Sequence, residues 1–175
     1  DITGDARAAL DAGVSLVHQE LSLVPEMTVA ENIMLGAFPT RSGFISGRQL
    51  HVYAGDALRE IGVSIDLDEP VARLSVSLRQ FIEIARAVAR KPKVLILDEP
   101  TATLTPSETT YLLQMLRRLA EGGLAIIYIS HRLPEIFSIC GRITVLRDGR
   151  FIDTMRTAQT TADELVTKMV GRELK

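Results

Sequence analysis

The sequence predicts an α/β fold built on a parallel sheet. Two continuous apolar runs of strand length predict it, Val94-Leu95-Ile96-Leu97 and Leu124 to Ile129, together with the amphipathic helical pattern that separates them. Strands buried on both faces read as uninterrupted apolar runs, and this strand–helix–strand order marks a βαβ unit with a right-handed crossover. The sheet is therefore expected to be covered on both faces. Its chemistry is expected beyond the carboxyl ends of the strands, where Asp98-Glu99 and Ser130-His131 follow the two runs.

The other elements follow in order. Val14 to Val17 is a short apolar stretch between Gly13 and the polar His18-Gln19-Glu20, which suits a strand ending in a polar loop. Thr28-Val29-Ala30-Glu31 has the capping-box pattern, so a short helix begins near Val29. Pro39 to Gly47 holds Pro, Ser and Gly and is expected to be a loop. Leu50 to Ile61 has helical apolar spacing, with Gly62 as its stop. Ile65 to Val71 is acidic, contains Pro70 and reads as a connection, its Asp66, Asp68 and Glu69 a solvated turn. Ser77 to Gln80 offers another capping box. Behind it Leu78, Phe81, Ile82, Ala85, Val88 and Ala89 form one helical face that Pro92 terminates, with Arg86 and Arg90 on a solvated face.

After the Val94 run, Thr105-Pro106-Ser107-Glu108 opens a helix with Thr as N-cap, Pro in the first turn and Glu three residues on. Leu112, Leu113, Leu116 and Leu119 supply its buried face, and Gly122-Gly123 ends it. Ile143 to Leu146 and Phe151 to Thr154 flank Arg147-Asp148-Gly149-Arg150, a hairpin signal. A last helix starts after Thr161, capped through Glu164, and stops at Gly171.

Composition narrows the class. A chain of 175 residues with 46% apolar residues can bury a domain core. Twenty basic residues against twenty-two acidic ones lack the basic excess of a nucleic-acid binder. The single Cys140 cannot form an internal disulfide and reads as a small buried hydrophobe in a reducing compartment. No apolar run approaches a membrane span, and Asp1 to Ala12 does not resemble a signal peptide, so membrane association is expected to go through a partner.

Two adjacent carboxylates after a buried strand are costly to place. One of them can hold Mg²⁺, directly or through water, while the other polarises an attacking water. A histidine closing the next strand can reach a phosphate or that water. A lone Asp-Glu pair would equally serve as a cap, and a lone histidine as a surface residue. The whole run Leu95-Ile96-Leu97-Asp98-Glu99-Pro100-Thr101 with His131 downstream is far more specific.

These residues resemble the ATP-binding domain of ABC transporters, from its Q-loop to its C-terminal end. Val94 to Glu99 is similar to the Walker B motif with its catalytic glutamate, Ala102 to Thr105 occupies the D-loop position, and His131 matches the switch histidine. Gln19 matches the Q-loop glutamine, and Leu74-Ser75-Val76-Ser77-Leu78-Arg79-Gln80 stands where the signature motif precedes its helix. Within the family, His18-Gln19-Glu20-Leu21-Ser22-Leu23-Val24-Pro25, Glu31-Asn32-Ile33 and Met169 to Leu174 resemble the first ATPase half of tandem monosaccharide-importer subunits.

The resemblance implies a partial P-loop NTPase core with a parallel sheet and a helical subdomain. Residues 1–26 and 92–175 would form the core part and 27–91 the helical signature subdomain of one domain fragment. It implies ATP and Mg²⁺ as ligands, Asp98 and Gln19 at the metal, Glu99 and His131 as catalytic residues, and Gln19, Ser75, Ser77 and Thr105 at the nucleotide. The implied partners are a second ATPase domain, a membrane permease and, indirectly, a sugar-binding protein, with no nucleic acid; the implied location is the inner face of the cell membrane. Independently of the resemblance, the amide groups at a helix N-terminus suit a phosphate, with Ser75 and Ser77 as added donors.

Two departures stand out. A P-loop needs glycines followed by Lys and Ser or Thr, and no Gly-Lys-Ser or Gly-Lys-Thr occurs among the twelve glycines. The resemblance sets the P-loop strand beside the Walker B strand, so its absence is expected to bare a strand edge. Val76, Ser77 and Leu78 also replace the Gly-Gly-Gln of the usual signature. The expectation is the ATPase motor of a monosaccharide importer, inactive as this chain alone. A non-catalytic binding or dimerisation module is the alternative, as is a soluble ABC-type ATPase of DNA repair or translation, which would call for a basic face or coiled-coil insertion.

Overall fold

Three short strands, β1 (Val14–Val17), β4 (Val94–Asp98) and β5 (Ala125–Ile129), run parallel in the order β1-β4-β5. The computed structural model describes residues 6–41 and 43–171 of the chain. Between β1 and β4 lie α2 (Val29–Ile33), a minimal hairpin of β2 (Thr40–Arg41) and β3 (Phe44–Ile45), α3 (Gly47–Ile61) and α4 (Val76–Ala89). A first helix, α1 (Ala6–Asp11), precedes β1, and α5 (Pro106–Glu121) connects β4 to β5. The described residues divide into two compact units after Ile129.

Local chemistry accounts for most boundaries. The capping box Thr28/Glu31 starts α2, and a second one, Thr105/Glu108, starts α5 with Pro106 in its first turn. Gly62 ends α3 in the left-handed conformation at φ 74°. Helix α3 begins three residues before the apolar pattern does, because Ser46 accepts from the Gln49 amide as N-cap. The stretch expected to be a loop contains the β2–β3 pair. Helix α4 is capped by Ser75, whose hydroxyl accepts from the Leu78 amide, so Ser77 sits inside the first turn and does not cap. On α5, Met115 is buried with Leu112, Leu116 and Leu119, while Leu113 is only half-buried.

The core of the first unit is a set of fully buried aliphatic residues: Val17, Val29, Ile33, Ile61, Ile82, Ile84, Leu95, Leu97 and Leu116. Leu95 and Leu97 lie on one face of β4. The other face is only partly covered, half-buried at Ile96 and exposed on the flanking strands, contrary to a sheet covered on both sides. Register places Leu16 opposite Ile96 and Ile96 opposite Ile127, in one row. Leu16 is 46% exposed, Ile127 51% and, further along β5, Ile129 45%. The expected bare edge is also displaced. Strand β4 is paired on both sides, and among the described residues β1 and β5 are the outer strands. The pairing of Val94 to Asp98 with Ala125 to Ile129 takes the position the missing strand was expected to hold.

The second unit contains α6 (Leu133–Ile139), the antiparallel pair β6 (Arg142–Arg147) and β7 (Arg150–Arg156), and α7 (Ala162–Val170). Asp148 and Gly149 both have positive φ, 52° and 72°, as a two-residue type I′ turn requires. Ile136, Ile143, Val145 and Leu165 form its core, with Cys140 packed against it. Burial pushes the Cys140 thiol up. Helices α1 and α6 lacked a legible sequence signal: one has six residues and the other seven, too few for a periodic face.

Candidate functional site

Parallel pairing brings the ends of β1 and β4 together. Val17 is registered opposite Leu97, so Gln19, two residues past β1, and Asp98-Glu99, closing β4, leave the same end of adjacent strands. Asp98 and Glu99 are half-buried and Gln19 is exposed. Glu99 has φ 46°, in the left-handed region that non-glycine residues rarely adopt. Its amide donates to the Ile129 carbonyl at 3.0 Å, tying the turn after β4 to β5. The turn is tightened by Ala102 N–H to Glu99 O at 3.2 Å and Leu104 N–H to Thr101 O at 3.1 Å, over a Thr101 with no exposure. Strand hydrogen bonding and a strained turn thus hold two carboxylates on successive residues in one conformation.

His131 follows β5 by two residues, is exposed, and belongs to the second unit. Ser130 shapes the chain there, accepting from the Arg132 amide at 3.0 Å and donating to Glu135 at 3.4 Å.

The serines and the threonine expected at a nucleotide face one another's partners. Ser75 and Ser77 hydroxyls are 3.1 Å apart. The Ser77 hydroxyl also donates to Glu108, the residue that receives the Thr105 amide and hydroxyl, each at 2.8 Å. Glu108 is held below the usual carboxylate range by the Thr105 amide first, then by the Ser77 and Thr105 hydroxyls. A carboxylate therefore joins the N-termini of α4 and α5, occupying both hydroxyls. Val76 stands exposed at the same helix start. The Thr105–Glu108 half of this cluster was legible as a capping box, whereas nothing in the sequence ties Ser77 to it.

A second polar cluster was missed. Arg90 is exposed as expected, but Arg86 does not lie on a solvated face. Arg86 pairs with Glu83 and reaches Ser22, and Arg90 donates to the Leu35 carbonyl at 3.0 Å. Asn32, fully buried, accepts from the Val24 amide at 2.8 Å and donates to the carbonyls of Val24, Met27 and Thr28. The loop after Gln19 is thereby held from both α2 and α4.

As a ligand site, this arrangement fits a divalent cation in part. Carboxylate oxygen is the donor Mg²⁺ prefers, and Mg²⁺ commonly takes one or two protein carboxylates with water and phosphate completing its shell. Among the described residues no cluster of three or more metal-ligating side chains exists that would enclose an ion unaided. Two surface grooves, of about 410 and 430 Å³, are lined by residues of the first unit; Gln19, Asp98 and Glu99 line neither.

The fold matches solved ATP-binding cassettes. It superposes on cbiO1 from Clostridium perfringens, part of the ABC transporter complex cbiONQ, with a TM-score of 0.76 and 25% identity over 96% of this chain and 67% of that one. A dimeric ATP-binding cassette, MJ0796, bound to ADP and Pi, shares the fold at a TM-score of 0.74 and 24% identity, over 90% of this chain and 68% of that one. The family model described as ABC transporter matches residues 1–102, and the chain belongs to that family.

Among its relatives are sugar-import ATP-binding proteins. The arabinose import ATP-binding protein AraG 2 of Burkholderia ambifaria is 49% identical over 170 residues, which are 97% of this chain and 33% of that protein. The ribose import ATP-binding protein RbsA of Geobacillus kaustophilus is 48% identical over 93% of this chain and 33% of its own length. The galactose/methyl galactoside import ATP-binding protein MglA of Pasteurella multocida is 44% identical over 97% and 33%. The chain spans about a third of the length of these curated relatives.

Proposed function

We propose that this chain is part of the ATP-hydrolysing subunit of a monosaccharide importer. The observation that supports the reading is the register Val17 to Leu97, by which the segment carrying Gln19 and the pair Asp98-Glu99 leave the same end of adjacent parallel strands. In this reading Asp98 and Gln19 hold Mg²⁺, directly or through water, and the cation neutralises charge on the ATP phosphates. Glu99 polarises the attacking water, and His131 positions phosphate and water. The α4 N-terminus, with Ser75, faces a nucleotide held by a second ATPase domain. The Ser77 and Thr105 hydroxyls, engaged with Glu108, serve there by ordering that helix start.

The segment 27–91, helical in α2, α3 and α4, docks a permease in this reading, and residues 1–26 and 92–175 form the catalytic core part. A sugar-binding protein supplies substrate to the permease, and the subunit works at the inner face of the membrane. Among the described residues no helix is long and apolar enough to cross a membrane.

The phosphate cradle lies outside these 175 residues in this reading, since they contain no Gly-Lys-Ser or Gly-Lys-Thr. Calorimetry of Mg-ATP with the 175-residue chain at neutral pH is the test. The expected result is no detectable heat of binding. Tight, Mg²⁺-dependent binding would mean that these residues hold phosphate by contacts other than a P-loop, and the assignment of the cradle to another segment would fall.

A further inference from the structure

Among the described residues Glu83 is the most deeply buried carboxylate, its side chain 5% exposed, and the scheme above gives it no task. One carboxylate oxygen accepts from the Ser22 amide at 2.6 Å and from the Ser22 hydroxyl at 3.1 Å. The other pairs with Arg86, one turn further along α4. Arg86 in turn donates to the Ser22 hydroxyl at 2.6 Å and to the Ser22 carbonyl at 3.4 Å. The amide, hydroxyl and carbonyl of one loop residue are thus all held by one ion pair, 61 and 64 residues away in sequence.

An ion pair taken out of water is costly, and an apolar pair of similar size would pack α4 at least as well. What an apolar pair cannot do is fix a backbone amide and a hydroxyl in one register. Ser22 stands three residues after Gln19, and β1 ends two residues before Gln19. Gln19 therefore lies on a short span between two anchors, the sheet and α4, and α4 is the helix whose N-terminus is the signature segment.

We propose that Glu83, with Arg86, is a positioning residue for the ATPase reaction. The pair locks Ser22, and through it Gln19, to the signature helix, so that the two approach the nucleotide as one body. This rests on the ATPase reading of Gln19 given above.

Two experiments test it. In the 175-residue chain, hydrogen exchange of the Ser22 amide is expected to quicken at least tenfold in Glu83→Ala and in Arg86→Gln, while amides in the middle of α4 keep their protection. Unchanged exchange in a folded variant overturns the proposal; should Glu83→Ala fail to fold, Arg86→Gln decides. In the ATPase that joins these residues to a P-loop segment, Glu83→Gln is expected to lower kcat about tenfold with KM for ATP within twofold, and Ser22→Thr, which keeps the hydroxyl, to retain most of the activity. The double variant with Gln19→Ala is expected to be no slower than Gln19→Ala alone, because both act through the same group. Independent, multiplying losses would show a merely structural role and overturn the proposal. A Gln19→Ala variant with undiminished kcat would refute the catalytic reading of Gln19 and the positioning role with it. The exchange result separates that failure from a clamp that does not hold.

Discussion

Asn32 occupies a position no exposed residue could fill. Its amide lies in the core of the first unit with no exposure and satisfies the Val24 amide and three carbonyls of the loop 24–28. Alanine there would leave the Val24 amide buried and unpaired. Each such orphan costs about 1–3 kcal/mol, so Asn32→Ala is expected to lower unfolding stability by roughly 3 kcal/mol in a urea titration. A change within experimental error would show that water takes over the bonds.

Glu108 makes a pH-dependent contribution at the same scale. Its folded pKa is depressed by the Thr105 amide and the Ser77 and Thr105 hydroxyls. A depressed carboxylate stabilises the fold above its unfolded pKa, and that contribution is lost as pH falls through the lower folded value. The stability difference between the native chain and Glu108→Gln is therefore expected at pH 7 and should shrink below about pH 4. A difference constant from pH 7 to pH 3 would contradict the hydrogen-bond assignment.

At the scale of the element, the junction of α3 and α5 is made by one glycine and one tyrosine. Gly62 closes α3 at φ 74°, and Tyr111 of α5 donates its hydroxyl to the Gly62 carbonyl at 2.6 Å. A Cβ at position 62 would stand 2.9 Å from that hydroxyl oxygen, besides forcing a side chain into the left-handed region. Gly62→Ala is expected to destabilise by about 1–2 kcal/mol in thermal or denaturant unfolding, the conformational part alone being near 1. The element boundaries themselves were largely legible. Thr28-x-x-Glu31 and Thr105-Pro-x-Glu108 start helices because a cap needs only residues within one turn, and Asp148-Gly149 makes its turn for an equally local reason. Ser77 was misread as a cap because Ser75 offers the same chemistry two residues earlier, and only the backbone path decides between them.

For the whole molecule, the exposed Leu16, Ile127 and Ile129, in a row with the half-buried Ile96, are the feature with the largest consequence. Contiguous apolar surface on a sheet seeks cover, and an outer strand offers unpaired backbone besides. A protein of these 175 residues is expected to self-associate with rising concentration in sedimentation velocity, and Ile127→Lys to weaken the association. A chain that stays monomeric at high concentration in both forms would count against an adhesive sheet face.

The sequence by itself determined the positions of β1, β4, β5 and the longer helices, the two strong caps, the hairpin after Ile143, and where Gln19, Asp98, Glu99 and His131 fall along the chain. These depend on periodicity and on contacts within a few residues. Tertiary structure alone decided that β4 is flanked by β1 and β5, that one face of the sheet stays partly open, and that Arg86 turns to Ser22 in the loop after Gln19. It also decided that Ser77 answers to Glu108 and Ser22 to Glu83. Those pairings join residues about 30 and 60 positions apart, and no local propensity records which distant donor will meet a buried acceptor once the strands have chosen their neighbours.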